Sequence, residues 1–172
     1  MSVVQLLNQS LKLYEQHNIM EQKGLAFFTN GAQWMHQYLE ILASETKPFP
    51  NYKFELIGYI KYGLSLLTAL GVCAFYPFYS WWLIPMAAFI FYVVEVHFLF
   101  LFPLAIDGES NLIRRTLKAT YQFGFWKAYC YTVCIAGYML FGLLDFKSPL
   151  KKWRIGCLAI VILYQREIRN RA

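Results

Sequence analysis

Charge is the first thing this chain is short of. Of its 172 residues only 15% are Asp, Glu, Lys or Arg, against 58% hydrophobic and 19% aromatic, where an ordinary soluble domain would carry about 25% charged residues. So few charges cannot clothe a water-exposed surface, which excludes a typical soluble domain and leaves a lipid bilayer as the missing solvent. Catalytic motifs are lacking as well. The chain holds no Gly-rich phosphate loop, no H-E-x-x-H, no C-x-x-C, no G-x-S-x-G and no multi-histidine set of the kind membrane di-iron oxidases need. Nor does it hold an internal repeat that would make two inverted halves of a transporter. Met1 to Asn8 has no basic segment leading into an apolar one, so the start is expected to be retained rather than cleaved as a signal.

Cysteine and acidic residues narrow the field further. Cys73, Cys130, Cys134 and Cys157 all lie inside apolar runs. Cys130 and Cys134 stand one helical turn apart, but no His, Asp or third Cys joins them at ligand spacing, so neither a metal nor a cofactor is expected. The formal charge of +6 is unevenly spread. Residues 1–50 carry three Lys and four Glu, net −1, and residues 51–172 carry thirteen basic and six acidic side chains, net +7. Basicity that follows the apolar part points to cytoplasmic loops and anionic lipid, and no nucleic-acid partner is expected.

What is present is a series of long apolar runs. The one from Trp81 to Ile106 spans roughly 39 Å as a helix at about 1.5 Å per residue, enough to cross a hydrocarbon core of about 30 Å. Only Glu95 and His97 within it can carry charge at neutral pH. The fold class that follows is all-α: a polytopic helical membrane protein of three to four transmembrane helices, preceded by two amphipathic N-terminal helices. Residues 1–52 form the amphipathic region and 53–172 the transmembrane domain, with crossings near 56–76, 82–104, 126–146 and 151–165. The last is the weakest, since its apolar core, Ile155 to Tyr164, makes only about 15 Å of helix. Three crossings with a re-entrant last segment are the alternative.

The first amphipathic helix places Val3, Val4, Leu7, Leu11 and Tyr14 on one face, and His17-Asn18 ends it. The second places Phe27, Phe28, Gly31, Trp34, Met35, Tyr38 and Leu42 together, and Pro48 and Pro50 close it. With net charge −1 this region lacks the basic belt of an interfacial helix. It is expected to dock on its own membrane domain, on a protein partner or on a second copy. The loop from Asp107 to Lys127, with Arg114, Arg115 and Lys118, should face the cytoplasm, which puts both termini there too. The uncharged turn at 76–80, followed by Trp81 and Trp82, fits a tight hairpin at the opposite aromatic belt.

Polar residues inside the apolar runs are the candidate site. Lys61, Ser65 and Thr68 recur at i, i+4 and i+7 on one face of the first crossing, turned toward a neighbour. Glu95 sits near the middle of the second crossing, where a charged carboxyl facing lipid costs at least about 2.5–3.5 kcal/mol. Counting from the shared cytoplasmic end puts it level with Ser65 and within a turn of Lys61. It is either a lock between helices or a protonatable group poised for acid–base work. His97, two residues on, lies about 200° around the helix from Glu95, so the two share no face unless the helix bends. Asp107, Arg114 and Arg115 form a second group that would suit a lipid phosphate. Pro103 is placed to kink the second crossing near its cytoplasmic exit.

Three functions fit, in this order. The first is a non-catalytic subunit or an assembly or accessory factor of a membrane complex. The second is a lipid-modifying or lipid-binding enzyme at the cytoplasmic leaflet using Glu95 and His97, with membrane lipids as its ligands. The third is a small oligomeric channel or proton-coupled carrier with Glu95 on the path.

Overall fold

In the computed structural model, residues 1–17, 26–75, 81–145 and 148–171 are described, and among them the chain is helical throughout, with no strand. Eight α-helices follow in order: α1 (Val3–His17), α2 (Phe27–Ala43), α3 (Phe54–Phe75), α4 (Leu83–His97), α5 (Leu101–Ile106), α6 (Leu112–Phe123), α7 (Phe125–Leu143) and α8 (Pro149–Glu167). A 3-10 turn, Arg169–Arg171, closes the described chain. The expected break after His17, the turn at 76–80 and the loop residues Phe146 and Lys147 lie outside the described residues.

Two helical segments, Phe54–Ala74 and Leu83–Ile106, are long and apolar enough to cross a membrane. The segments 126–146 and 151–165, expected as third and fourth crossings, do not meet that measure among the described residues. The two that do are packed antiparallel, with Phe54 against Phe102 and Lys61 against Glu95. α3 buries a narrow stripe, Phe54, Gly58, Lys61, Ser65 and Ala69, spaced by three and four residues. Much of the rest of its surface is apolar and exposed, including Leu56, Tyr59, Ile60, Leu64, Leu67 and Leu70.

Pro103 acts where the sequence places it. A proline has no N–H for the carbonyl four residues back and its ring crowds that carbonyl, here Leu99. The α-helix accordingly gives way at Phe98 to Phe100, where Leu99 and Leu101 make tighter bonds to Val96 and Phe98 before α5 resumes. The second apolar segment is therefore one path made of two helices.

α8 has the opposite character to α3. Ile155, Leu158, Ala159, Val161, Ile162, Leu163 and Tyr164 are all at most 2% exposed. α1, α2, α5 and α7 pack around them. A ten-residue apolar run is too short to span a bilayer but is ample for a helix whose partners are other helices. α7 runs antiparallel to it at close range: a Cβ on Gly156 would meet the Met139 side chain at 2.3 Å, and one on Gly142 would meet Lys152 at 2.3 Å. A Cβ on Gly137 of the same helix would meet nothing within 4 Å.

The N-terminal helices dock on this body rather than standing apart from it. α1 lies antiparallel to α8, with Arg166 against Met1 at one end and Lys151 paired to Glu15 at the other. Its start is a reciprocal cap, in which the Ser2 N–H donates to Gln5 Oε1 and the Gln5 N–H to Ser2 Oγ. The buried residues of α1 are Leu6 and Ser10, while Val4 is 67% exposed. The contact stripe is centred on Leu6 and Ser10 and includes Val3, Leu7 and Tyr14 of the expected face, whereas Val4 lies outside it. Ser10 tolerates burial because its hydroxyl donates back to the Leu6 carbonyl at 2.8 Å. Leu6, Trp34, Tyr38 and Leu158 belong to one hydrophobic core, so residues 1–52 and the rest form one packed unit. Met1, Arg166 and Arg169 lie at the same end of the bundle as Asp107.

Candidate functional site

The polar stripe of α3 meets α4 at one point. Lys61 Nζ lies 2.7 Å from Glu95 Oε1, and the two side chains are only 5% and 11% exposed. Their surroundings are aromatic, with the ammonium 4.9 Å from the centre of the Tyr62 ring and 5.8 Å from that of Phe102. Cation–π contact and the ion pair together replace the hydration that Lys61 gives up. Glu95 Oε2 is buried and has no hydrogen-bond partner among the described residues. The carboxylate is held at one oxygen only.

Ser65 and Thr68 stand on the same helix but do not reach across it. The Ser65 hydroxyl donates to the Lys61 carbonyl at 3.1 Å and the Thr68 hydroxyl to the Leu64 carbonyl at 2.8 Å, each on its own helix. Ser65 is fully buried and acts as a small residue in the packed stripe. Of the four expected interhelical residues, the structure brings together Lys61 and Glu95.

His97 faces elsewhere. Its Nδ1 donates to the Val93 carbonyl at 2.7 Å, since that oxygen can only accept, and its Nε2 lies 3.2 Å from the Tyr121 hydroxyl. The ring packs against Phe125 of α7. His97 thereby ties α4 to the α6–α7 junction, and Glu95 and His97 address different neighbours.

Asp107 forms a separate polar cluster at the end of α5. Its Oδ1 accepts from Lys47 Nζ at 3.0 Å, and its Oδ2 accepts from the Tyr164 hydroxyl at 2.8 Å and from Arg169 Nε at 3.1 Å. Arg169 also reaches Glu45 at 2.9 Å. One carboxylate therefore joins the link after α2, the end of α5 and the end of α8. Arg114 and Arg115 are not its partners: Arg115 pairs with Glu109 at 2.6 Å, and Arg114 is exposed on α6 beside Lys118. The expected group of Asp107, Arg114 and Arg115 is divided between these two places. Lys47, Tyr164 and Arg169 carry no local sequence signal, because each comes from a distant part of the chain.

Next to the ion pair the helices line a half-open pocket of about 360 Å³. α2 contributes Phe27, Phe28, Gly31 and Trp34, α3 contributes Lys61 and Tyr62, and α8 contributes Trp153, Arg154 and Cys157. Phe28 is seated flat on Gly58, where an added Cβ would fall 2.4 Å from its ring. Nothing in the sequence pattern announced this space, which depends on how α2 crosses α3 and α8. Among the described residues no group of three His, Cys, Asp or Glu side chains is placed to hold a metal ion. No family model, no curated protein and no solved structure matches this chain.

Proposed function

We propose that this chain is a multi-pass helical membrane protein without a catalytic centre of its own, serving as a subunit or assembly factor of a membrane complex. The observation that carries the membrane part is the inverted polarity of α3. The charged side chain within its apolar length, Lys61, is inside at 5% exposure, while Leu66, Leu67 and Leu70 are outside at 52%, 69% and 55%. In water that arrangement is doubly unfavourable, and in a bilayer it is the expected one. In this reading α3 and the α4–α5 path cross the membrane and α7 crosses as a third element. The exposed side of α7, with Trp126, Cys130, Cys134, Phe141 and Leu144, is apolar enough to face lipid. α8 is housed inside. The basic stretch from Arg114 to Lys127 and both termini lie on the cytoplasmic side, a topology supported by their common position at one end of the bundle.

The non-catalytic part is supported by the commitments of Glu95 and His97. Each is bound to a different neighbour in a way that fastens helices together, which suits a lock better than an acid–base pair. The apolar stripes of α1 and α2 are covered within the chain, so a protein partner would meet the outer faces of α3 or α7. Single cysteines introduced into a cysteine-free background test the topology. Leu67→Cys should resist a membrane-impermeant maleimide in intact membranes, and labelling as fast as at a loop position such as Ser110→Cys would overturn it. Purification in mild detergent tests the partner: other membrane chains should co-elute, and recovery of this chain alone would remove the subunit reading.

A further inference from the structure

We infer that the outer face of α6 is a docking surface for phospholipid headgroups of net negative charge, held by Arg114 and Lys118. The inference rests on the membrane reading above and names the lipid that its cytoplasmic side would meet. α6 is sharply divided around its axis. Thr116, Ala119, Thr120 and Phe123 are buried. They face the α4–α5 path, where the Thr120 hydroxyl donates to the Val96 carbonyl at 3.4 Å and the Phe123 ring meets Phe100 edge-on. At about 100° per residue the outward side divides again. Ile113, Leu117 and Tyr121 make an apolar strip, and Arg114, Lys118 and Arg115 make a basic strip beside it. No Asp or Glu stands between Glu109 and Asp145. Glu109 is engaged by Arg115, and Asp107 by Lys47, Tyr164 and Arg169. Arg114 and Lys118 are left exposed one turn apart, with no carboxylate partner among the described residues. Like charges at i and i+4 repel and weaken their own helix, so the arrangement calls for an anion from outside the chain.

Two features select a bilayer over a soluble polyanion. The first is the apolar surface beside the charge: Ile113 and Tyr121 are 66% and 58% exposed, and Trp126, on the first turn of α7, is 68% exposed. A bilayer surface takes both strips at once, with phosphates on the basic one and the interfacial zone around the aromatic and aliphatic one. A soluble polyanion would leave the apolar strip in water. The second feature is position. α6 folds back along the end of the apolar path Leu83–Ile106, starting beyond Asp107 and reaching Val96 by Thr120. That path has 24 residues, which make about 36 Å of helix against a hydrocarbon core of about 30 Å. In the proposed topology its surplus length, and with it Arg114 and Lys118, lies at headgroup level on the cytoplasmic side.

Each basic side chain near an anionic membrane surface contributes about fivefold in affinity, so the two together should contribute roughly thirtyfold. The experiment uses the full chain in neutral detergent micelles, titrated with dioleoyl phosphatidylglycerol or dioleoyl phosphatidylcholine and read by native mass spectrometry of the intact protein–lipid complexes. Phosphatidylglycerol should bind at least tenfold more tightly than phosphatidylcholine. Arg114→Gln with Lys118→Gln should abolish the preference, and the charge-retaining Arg114→Lys with Lys118→Arg should keep it. Lys12→Gln with Lys53→Gln removes the same charge from exposed positions outside α6 and should leave the preference within twofold. An equal loss in that control would reduce the effect to net charge and overturn the site, as would a preference untouched by Arg114→Gln with Lys118→Gln. Displacement of the lipid by inorganic phosphate, or tighter binding of oligoglutamate than of phosphatidylglycerol, would overturn lipid as the occupant. Alkaline carbonate extraction from bilayers of phosphatidylcholine alone separates this inference from the reading beneath it. A chain that resists extraction but shows no preference for phosphatidylglycerol overturns the α6 surface only, whereas a chain that is extracted overturns the membrane reading itself.

Discussion

α3 and α8 are both apolar helices, and they keep opposite company. Only 22% of the most apolar window of α3 is buried, yet its lysine is inside. α8 exposes almost nothing between Ile155 and Tyr164, and its lysines and arginines lie at its two ends. Hydrophobicity alone therefore does not say which solvent a helix meets. The position of charge relative to the exposed face does. Buried charge with hydrocarbon outside suits a lipid-facing helix; hydrocarbon buried all round suits one enclosed by protein.

The largest effect should come from separating the two members of the α3–α4 lock. Lys61→Met leaves the Glu95 carboxylate buried beside aromatic rings with neither of its oxygens bonded, and removing one partner of a buried pair costs about 3–5 kcal/mol. Replacing both, as Lys61→Met with Glu95→Leu, removes the charge problem altogether and should return most of that stability. Unfolding by SDS titration in mixed micelles measures both. Equal losses in the single and double variants would mean that the pair matters for shape rather than charge.

A leucine taken from each helix sharpens the contrast. Leu158 on α8 is 0% exposed and Leu67 on α3 is 69% exposed. Leu158→Ala should cost about 2–5 kcal/mol through the cavity it leaves, whereas Leu67→Ala should stay within about 0.5 kcal/mol. Leu67→Asp separates lipid from water outside α3: in a bilayer it should lower the membrane-inserted fraction, at about 2.5–3.5 kcal/mol for a central carboxylate, and in water it would be harmless. Glycosylation mapping of inserted chains reads the difference.

How much of this was legible in the sequence follows from which interactions are local. Helix identity, the kink before Pro103 and the need of Glu95 for company come from composition and spacing within one or two helices. Counting from a shared end puts Lys61 within a turn of Glu95, and the two are 2.7 Å apart in the structure. The enclosure of α8 was not legible, because a ten-residue apolar run reads the same whether lipid or four helices surround it. The place of Ser10 at the centre of the α1 stripe was missed for a different reason. Ser10 counts as polar in any hydrophobic pattern, yet its hydroxyl is satisfied by its own helix, which frees the residue to pack. Asp107 drew attention to Arg114 and Arg115 by proximity in sequence, while its partners Lys47 and Arg169 are brought to it by the fold.

The smallest effect expected concerns that cluster, and it ranks its own members. The Asp107 side chain is 8% exposed and accepts from three donors, so Asp107→Asn should cost about 1–3 kcal/mol, the range for buried acceptors serving charged groups. Lys47 is the outermost donor, its side chain 47% exposed. Lys47→Met should cost no more than about 1 kcal/mol, as exposed ion pairs do. Arg169, 16% exposed and bonded to both Asp107 and Glu45, should fall between them. Because the cluster joins the end of α8 to the end of α5 and to the link after α2, the loosening should appear in hydrogen exchange at the last turns of α8 and α2. The α3–α4 contact around Lys61 should remain as slow as in the parent. Loosening that spread equally to α3 would mean that α3 and the enclosed α8 open as a single cooperative unit.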